Sequence, residues 1–418
     1  MHTWGGSYFG VTQWAMCEED QRPDALGVAV SARRFDDAIV YRGGGFGMET
    51  LLAWAYALDL QARPAPSRLW RMLVSYGRLR RASYALPPAE AAVRAGAGDP
   101  RFFRDWIEHS DPGDPWWTPL HFAQDPSTIP PTVLLAGWQD LFLEGQLDDY
   151  AALREAGVPV RLIVGDWRHG APETLAVGAG EALRGFDDPT AGPAVRVEVT
   201  GGGGWQELTE WPPAATPVVW EADADGTLSR HGPGRQQGRP AATATYRYDP
   251  ADPTPSAGGR TLNPFSAGRR RQEVRERRDD VLTFTAAALD RDEVVMGSPA
   301  VDLAIASTNP RADVFVRLCE VDAHGVSRAV TDGYLRLAPD AAPGARRRVR
   351  IVLAPIAHRF GRGARLRLQV SSGAHPLFLR NPGTEDPIRD FERLIPSDQT
   401  VFFGADAPLL LHLPSVSD

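Results

Sequence analysis

The sequence predicts an α/β fold, in which a parallel sheet with a helical insertion is followed by an all-β C-terminal domain. Two observations support this prediction. Short apolar runs alternate with helical patterns up to about residue 190, and runs of alternating polarity replace the helical patterns beyond it. With 418 residues, of which 43% are hydrophobic, the chain is long enough for two or three domains with sizeable cores.

Composition limits the partners that this chain can have. The net charge of -8 argues against a nucleic-acid partner, and no apolar run approaches the ~18 residues of a transmembrane helix, so we expect no membrane association. The two cysteines, Cys17 and Cys319, favour reduced thiols in a cytoplasmic protein over a disulfide framework. No CxxC motif or His/Cys cluster indicates a metal site, and we expect neither a metal nor a cofactor. Homodimer formation is left open.

The first element is a strand that ends in a glycine-rich turn at residues 5–10, followed by a helical pattern over 12–19. A serine between a strand and a helix, here Ser7, is typical of the nucleophile elbow of an α/β-hydrolase. Gly5 allows the backbone to approach its neighbour closely, and N–H groups at the start of the helix can meet a developing oxyanion. Phe9 replaces the second glycine of the generic pattern, so the turn alone is equally consistent with a surface serine.

A buried strand and a helical segment follow the elbow. Residues 26–31 are continuously apolar, which suits a parallel strand that is covered on both faces. From residue 43 to 122, helical patterns continue without a strand-like run. We therefore predict that residues 1–46 begin an α/β-hydrolase core and that residues 47–125 form a helical cap inserted into it.

The α/β pattern returns after the cap. Residues 133–137 and 158–164 are the next buried strands, with a helix at 146–156 between them and a last helix at 177–186. This order predicts a parallel sheet with right-handed crossovers, completed by residues 126–190.

The last part of the chain, residues 191–418, has a different pattern. Short runs of alternating polarity, such as 195–199, 314–318 and 366–370, are separated by turns rich in Gly, Pro, Asp and Asn. This pattern predicts a β-sandwich of the jelly-roll type with almost no helix.

Two predicted strand ends carry an acid and a base. Asp140 follows the strand at 133–137, and His169 follows the strand at 158–164. Ligands of open α/β sheets bind beyond the carboxyl ends of the strands, and the chain order Ser7, Asp140, His169 is that of an α/β-hydrolase. A serine needs a base for its proton, and the imidazole needs a carboxylate to hold its tautomer. A turn aspartate and a surface histidine are the alternatives for each residue alone, but the order of the three favours a catalytic triad.

Longer motifs extend this pattern to a known family. They lie at residues 5–14, 136–140 and 165–169, and in the C-terminal domain at 248–255 and 279–282. On these motifs the chain resembles, over essentially its whole length, the cocaine-esterase-like hydrolases, which are grouped with the X-Pro dipeptidyl-peptidases of the S15 type.

The resemblance has implications for both fold and site. It implies an α/β-hydrolase domain, a helical cap and a C-terminal jelly roll packed against both. It also implies Ser7 as the nucleophile, Asp140 as the acid, His169 as the base and the backbone N–H of Tyr8 as one oxyanion donor. Phe9 is then regular, because the family form has a variable residue at that position.

The N-terminus departs from the family pattern. In the family, several strands and a tyrosine that acts as the second oxyanion donor precede the nucleophile, whereas six residues precede Ser7 here. We therefore expect a truncated α/β-hydrolase domain in which no residue can be assigned the role of that tyrosine. A chain that starts at Met1 is expected to hydrolyse activated esters weakly or not at all, since the loss of one oxyanion donor typically costs ~10²–10³ in rate.

The substrate pocket is expected to be aromatic. The tryptophans near the acid and base loops and at the end of the cap are Trp138, Trp167, Trp106, Trp116 and Trp117. Core packing is the alternative for each of them, because large aromatic side chains bury readily.

The residues after the acid bear on the acyl group. Relatives that take amino-acid esters hold a cationic amine with carboxylates just after the acid, whereas Asp140 is followed by three apolar residues before Glu144. An uncharged acyl group is therefore favoured. The predicted function is a serine hydrolase that cleaves carboxylic esters or X-Pro-type amides through an acyl-enzyme, with a small-molecule ester or a short peptide as substrate. The alternative is a catalytically silent fragment whose jelly roll is a binding or structural module.

Overall fold

The computed structural model describes residues 1–19, 22–187, 192–230 and 241–416, which form an α/β part followed by a β-rich C-terminal part. The predicted boundary between residues 190 and 191 lies outside the described residues. Among the helices that are described, none has the length and apolar character needed to cross a membrane.

Strands and helices alternate through the α/β part. Its strands are β1 (His2–Gly6), β2 (Ala25–Ala29), β3 (Tyr41–Arg42), β4 (Gly45–Phe46), β5 (Thr132–Gln139), β6 (Val160–Arg168), β7 (Val195–Val199) and β8 (Gly204–Leu208). Its α-helices are α1 (Tyr8–Met16), α2 (Met48–Gln61), α3 (Ala65–Ala82), α4 (Ala91–Ala95), α5 (Arg101–Glu108), α6 (Leu143–Glu155) and α7 (Pro172–Asp187). A π-helical turn lies at Asp36–Val40, and 3-10 turns lie at Pro88–Glu90, Pro115–Leu120 and Pro126–Thr128.

Six of these strands form one sheet in the order β1-β2-β5-β6-β7-β8. The first five run parallel, and β8 returns antiparallel to β7. Every residue of β2 and β5 is buried, which explains their continuous apolar sequences. Because β1, β5 and β6 are parallel, the residues that follow them, including Ser7, Asp140 and His169, emerge at the same edge of the sheet.

The strand at 195–199 belongs to a different sheet from the one that its sequence pattern predicts. The alternating pattern places it in the C-terminal sandwich, but β7 pairs in parallel with Leu162, Ile163 and Val164 of β6. Its residues alternate between buried and half-buried positions because one face packs on the core of the α/β part. A period of two identifies a half-buried strand without identifying the sheet that it joins, so the α/β sheet extends to Leu208.

A helical segment, called the cap below, lies between β4 and β5 in the chain. It consists of α2 to α5 and the adjoining short turns, and it begins just after the β3–β4 hairpin. Its interior is an apolar cluster whose fully buried members include Phe46, Leu51, Phe103 and Trp117. This packing agrees with the helical patterns of residues 47–125.

The regular elements of the C-terminal part are almost all strands. They are β9 (Thr216–Ala222), β10 (Thr227–Arg230), β11 (Ala242–Tyr248), β12 (Leu282–Ala286), β13 (Glu293–Gly297), β14 (Ala300–Ser307), β15 (Asp313–Val321), β16 (Ser327–Arg336), β17 (Arg347–Val352), β18 (Ile356–Phe360), β19 (Arg365–Ser371), β20 (Ser397–Phe403) and β21 (Leu409–Val416). They form one connected network in which the pairings are antiparallel except that of β10 with β12. Among the described residues, the one helix of this part is the single turn α8 (Glu273–Glu276).

A segment of the C-terminal part lies against the cap and the site edge of the sheet. The Glu49 carboxylate of α2 accepts hydrogen bonds from Asn263 Nδ2 at 2.9 Å and from Ser266 Oγ at 2.5 Å. Arg168, the last residue of β6, donates to the carbonyl oxygen of Pro264 at 3.3 Å. The C-terminal part therefore contacts the residue that precedes His169.

Candidate active site

Ser7 occupies a strained turn between β1 and α1. Its φ of 55° and ψ of -123° are unusual for a residue other than glycine. The backbone N–H of Ser7 donates to the carbonyl oxygen of Ala29 at 2.9 Å, which holds the turn against β2. Such a sharp strand-to-helix turn exposes the serine hydroxyl beyond the end of the sheet.

Two glycines make this turn sterically accessible. A Cβ atom on Gly5 would lie 2.6 Å from the carbonyl oxygen of Phe9, and one on Gly10 would lie 2.5 Å from Cβ of Ser31. Both distances are shorter than van der Waals contact. The helix can therefore begin directly above β1 and β2 only because neither position carries a side chain.

The structure brings Ser7, His169 and Asp140 together. Ser7 Oγ lies 2.9 Å from Nε2 of His169, and Nδ1 of the same ring lies 2.7 Å from Oδ2 of Asp140. With the Nδ1 proton on the carboxylate side, Nε2 is free to accept the hydroxyl proton of the serine. The three side chains thus form a continuous hydrogen-bonded relay.

Burial and hydrogen bonding fix the orientation of the acid. Asp140 follows β5, and its side chain is 1% exposed. Oδ1 of Asp140 accepts the backbone N–H of Phe142 at 2.8 Å, which leaves Oδ2 for the imidazole. Two different hydrogen bonds therefore hold the two carboxylate oxygens.

The charge of Asp140 changes the acid–base behaviour of His169. Burial opposes the protonated imidazole, but the attraction and hydrogen bond of Asp140 outweigh it and raise the pKa of His169 above its ordinary value. The imidazole side chain is 7% exposed, so solvent screens this interaction weakly. The pair is arranged to stabilise the imidazolium that forms when a serine loses its proton.

The backbone N–H of Tyr8 is available at the start of α1. The N–H groups of Gly10 and Val11, two and three residues further on, both donate to the carbonyl oxygen of Ser7. The N–H of Tyr8 has no acceptor among the described residues, as is usual in the first turn of a helix. It lies next to the serine, where an oxyanion donor is needed.

Trp138 and Trp167 pack on opposite faces of the sheet. Trp138 joins the apolar cluster beneath α6, and its ring centroid lies 5.2 Å from that of Trp211. Its indole N–H donates to the backbone carbonyl oxygen of Glu198. Trp167 packs with the other face of the sheet and lies 5.9 Å from the ring of Trp205. The contacts of both rings are those of core side chains.

The three cap tryptophans also pack inside the protein. Trp117 is fully buried, and Trp116 stacks on the ring of His109 at 4.4 Å. Trp106 contacts Phe35, with ring centroids 6.0 Å apart. Of the five tryptophans, Trp106 is therefore the one that a series of contacting aromatic rings connects to His169.

This series of rings includes two residues that the sequence did not predict to lie near the site. The ring of Phe142 lies 5.7 Å from the ring of His169 and 6.3 Å from that of Phe35, which in turn reaches Trp106. Phe142 stands two residues after Asp140, where the sequence indicated only that no carboxylate follows the acid. Its position beside the acid was a usable signal for Phe142, whereas Phe35 lies in a segment without a recognisable pattern.

The described residues contain no group of His, Cys, Asp or Glu that could hold a metal ion.

Glu144, the first carboxylate after Asp140, faces Arg260 of the C-terminal part, with Oε2 of Glu144 3.4 Å from Nε of Arg260. The ion pair directs this carboxylate to a guanidinium of the chain itself. The chemistry available at the site is therefore that of a serine, an imidazole, a carboxylate and a helix N-terminus.

Sequence profiles and a related protein show the family to which the chain belongs. The profile of the X-Pro dipeptidyl-peptidase (S15) family matches residues 2–171. The profile of the X-Pro dipeptidyl-peptidase C-terminal non-catalytic domain matches residues 188–412. A curated relative, the cocaine esterase of Rhodococcus sp. (strain MB1 Bresler), is 26% identical over 468 residues, covering 99% of this chain and 80% of that protein.

Solved structures support the same overall fold. An aminopeptidase from the marine sediment archaeon Thaumarchaeota archaeon aligns over 100% of this chain and 76% of its own, with a TM-score of 0.81 and 21% identity. An α-amino acid ester hydrolase aligns over 99% and 76%, with a TM-score of 0.78 and 20% identity. The chain is a hydrolase with an N-terminal α/β-hydrolase-like part and a β-rich C-terminal part, and it belongs to the X-Pro dipeptidyl-peptidase (S15) family together with the cocaine-esterase-like hydrolases.

Proposed function

We propose that this protein is a serine hydrolase in which Ser7 is the nucleophile, His169 the general base and Asp140 the acid that orients it. The observation that supports this proposal is the relay of 2.9 Å and 2.7 Å from Ser7 Oγ through the imidazole to the carboxylate. The strained backbone of Ser7 and the positions of the three residues after β1, β5 and β6, at one edge of the sheet, are consistent with it.

The reaction follows from these positions. Ser7 Oγ attacks the carbonyl carbon of the substrate while its proton moves to Nε2 of His169, and the carbonyl oxygen becomes an oxyanion beside the N–H of Tyr8. The imidazolium then returns the proton to the leaving alcohol or amine, which leaves an acyl group on Ser7. A water molecule, deprotonated by the same imidazole, releases the acid and restores the serine.

The preferred substrate is an ester with an uncharged acyl group. The fully buried ring of Phe142 lies 5.7 Å from the ring of His169, so the surroundings of the imidazole are apolar on that side. Glu144, the carboxylate closest in sequence to Asp140, is paired with Arg260 and is less able to hold a substrate ammonium group. Relatives of this chain include a cocaine esterase and an aminopeptidase, so the X-Pro-type amide is the competing substrate.

The domain assignment is also part of this proposal. Residues 47–125 would form the cap over the site, and the strands from β9 onward would form the jelly roll that packs against the cap and the sheet. Support comes from the insertion of α2 to α5 between β4 and β5 and from the single connected strand network of the C-terminal part.

A paired assay tests both the nucleophile and the substrate. Hydrolysis of 4-nitrophenyl acetate and butyrate is compared with that of alanyl-prolyl-4-nitroanilide, for the protein and for Ser7→Ala. We expect higher kcat/KM for the esters and a loss of about 10⁴–10⁶-fold in Ser7→Ala. Faster cleavage of the anilide would retain the triad but reverse the substrate preference, and unchanged ester hydrolysis in Ser7→Ala would remove Ser7 as the nucleophile.

A further inference from the structure

A cavity of about 230 Å³ lies where three parts of the chain meet. Arg42, in the β3–β4 hairpin that leads into the cap, contributes one wall, and Glu144 of α6 contributes another. Arg260, Asp332 and, at the rim, Arg350 of the C-terminal part complete the charged lining; Arg350 is paired with Asp302 outside the cavity. A water molecule occupies about 30 Å³ in the liquid, so the cavity has room for a small polyatomic ion.

The charges around this cavity do not balance. Arg317 Nη2 lies 2.9 Å from Oδ2 of Asp332, and Arg260 lies 3.4 Å from both Asp332 and Glu144. Two guanidinium groups therefore match the two carboxylates. Arg42 adds a third positive charge, which forms no ion pair with any carboxylate of the described chain.

Most hydrogen-bond donors of the Arg42 guanidinium lack an acceptor. The residue is 7% exposed, and its guanidinium lies over the ring of Phe378 at 5.1 Å. Its one hydrogen bond among the described residues is from Nη2 to the carbonyl oxygen of Arg260 at 3.1 Å, and Nε and Nη1 are buried without a partner. A buried guanidinium that has lost its water and gained no acceptor is unfavourable.

Two other buried guanidinium groups of the chain each have several hydrogen-bond acceptors. Arg275 donates to Gln369, Ser371 and two carbonyl oxygens. Arg317 donates to Asp332, to a glutamine side chain and to two carbonyl oxygens. Within the described residues, Arg42 is the one arginine with two buried nitrogens that lack any acceptor. The fold thus supplies acceptors for buried arginines elsewhere and leaves a cavity beside this one.

We propose that Arg42 binds a small oxygen-bearing anion, an inorganic phosphate or a short carboxylate, in this cavity. The guanidinium group suits such ligands because it is planar, always charged and rich in donors. The anion would accept from Nε or Nη1 of Arg42 and would neutralise the surplus positive charge. Arg260 is the second buried guanidinium in the cavity lining, and it is already paired with Glu144 and Asp332.

Such a ligand would join the parts of the chain that surround the triad. Arg42 directly follows Tyr41, whose hydroxyl donates to the carbonyl oxygen of Trp106 in the cap. Glu144 lies in the helix that follows Asp140. An anion that binds only the folded protein stabilises it by an amount that grows with the logarithm of ligand concentration above Kd. The cap, the acid-bearing helix and the C-terminal part would therefore be held together more firmly when the site is filled.

Thermal unfolding tests the proposal. The melting temperature of the protein is measured against sodium phosphate and, separately, sodium acetate, at constant ionic strength set with sodium chloride. We expect a saturable rise of about 2–4 °C with at least one anion at a hundred-fold excess over its Kd, and no such rise in Arg42→Met. The matched control is Arg350→Met at the rim, because Arg350 is half exposed and already paired with Asp302 at 2.7 Å, so this variant should respond like the original protein.

The outcomes are distinct. A rise with phosphate alone identifies the phosphate class, and a rise with acetate identifies the carboxylate class. Equal shifts in the original protein and Arg42→Met, or no shift with either anion, would overturn the proposal and leave the cavity to water. If Arg42→Met does not fold, crystals of the original protein soaked in selenate decide the question: an anomalous selenium peak beside Arg42 is expected, and a cavity without one contradicts the proposal.

Discussion

Nδ1 of His169 lies 2.7 Å from Oδ2 of Asp140, and the two side chains are 7% and 1% exposed. A carboxylate so well shielded from solvent acts strongly on the imidazole beside it. The pKa of His169 is raised even though burial alone would lower it. This pair therefore sets both the orientation and the protonation of the base that Ser7 needs.

Asp140→Asn is predicted to change the rate and its pH dependence together. The amide removes the negative charge that favours the imidazolium, while burial of His169 remains, so the pKa of His169 falls. On the acid side of the kcat/KM profile, the rate rises as His169 loses its proton. The midpoint of this rise should lie above pH 6.5 in the original protein and should move to lower pH in the variant. The plateau rate should drop by about 10³–10⁴-fold because the wrong tautomer is favoured.

A pH series on a chromogenic ester measures both effects. Asp302→Asn is the control, since Asp302 pairs with Arg350 and His412 on the C-terminal part. An Asp140→Asn profile with the original midpoint would show that Asp140 does not control the charge of His169.

Gly5→Ala is predicted to impair the elbow. The new Cβ would lie 2.6 Å from the carbonyl oxygen of Phe9, so α1 must shift away from β1 and carry Ser7 with it. A displacement of about 1 Å can cost 10²-fold in rate. Gly180→Ala in α7 is the matched control, because its Cβ would meet no atom within 4 Å and alanine is the better helix former.

Far-UV circular dichroism and ester hydrolysis together check this prediction. The expected result is a folded Gly5→Ala protein with at least a ten-fold lower kcat/KM, beside a fully active Gly180→Ala. Equal activity of the two variants would show that the turn tolerates a side chain and that the packing of Gly5 is not what positions Ser7.

Phe142→Leu is predicted to slow ester hydrolysis by loosening the packing of His169. The substitution keeps an apolar side chain and the backbone N–H that donates to Asp140, but it removes the ring that lies 5.7 Å from His169. Because Phe142 is fully buried, the lost contact is the one with the imidazole, and kcat/KM for 4-nitrophenyl acetate should fall several-fold, since an aromatic contact is worth about 0.5–1.5 kcal/mol. Phe46→Leu, within the cap core beside Tyr41 and Phe103, controls for repacking. The same fall in kcat/KM for both variants would assign the effect to the cap rather than to the packing of His169.

Both cysteines are predicted to be unreactive in the folded protein. Cys17 and Cys319 are buried and unpaired, and burial raises the pKa of their thiols to about 11 and about 12. At pH 8 the reactive thiolate is therefore scarce as well as inaccessible. Titration with a thiol reagent should detect no fast-reacting thiol before denaturation and two after it, whereas a fast thiol in the native protein would contradict the packing around one of them.

The sequence predicted the parts of the fold that depend on local pattern. Continuous apolar runs marked β2, β5 and β6, and the residues after them proved to lie at one edge of the sheet. Alternation did not reveal that Val195–Val199 pairs with β6, because strand pairing over a long distance leaves no local signal. The contact of Phe35 with Phe142 and the cavity beside Arg42 also depend on how separate segments pack. Residue type and spacing do not encode such contacts.

Covalent labelling with a fluorophosphonate is the most direct test of Ser7 as the nucleophile, because this reagent reacts only with a serine that a neighbouring base activates. The protein is incubated with the reagent, digested and analysed by mass spectrometry. The relay from Ser7 through His169 to Asp140 predicts one label per chain, on the peptide that contains Ser7, and its loss in both Ser7→Ala and His169→Ala. A label on a different serine, or hydrolysis that continues after Ser7 is fully labelled, would contradict the assignment of Ser7 as the nucleophile.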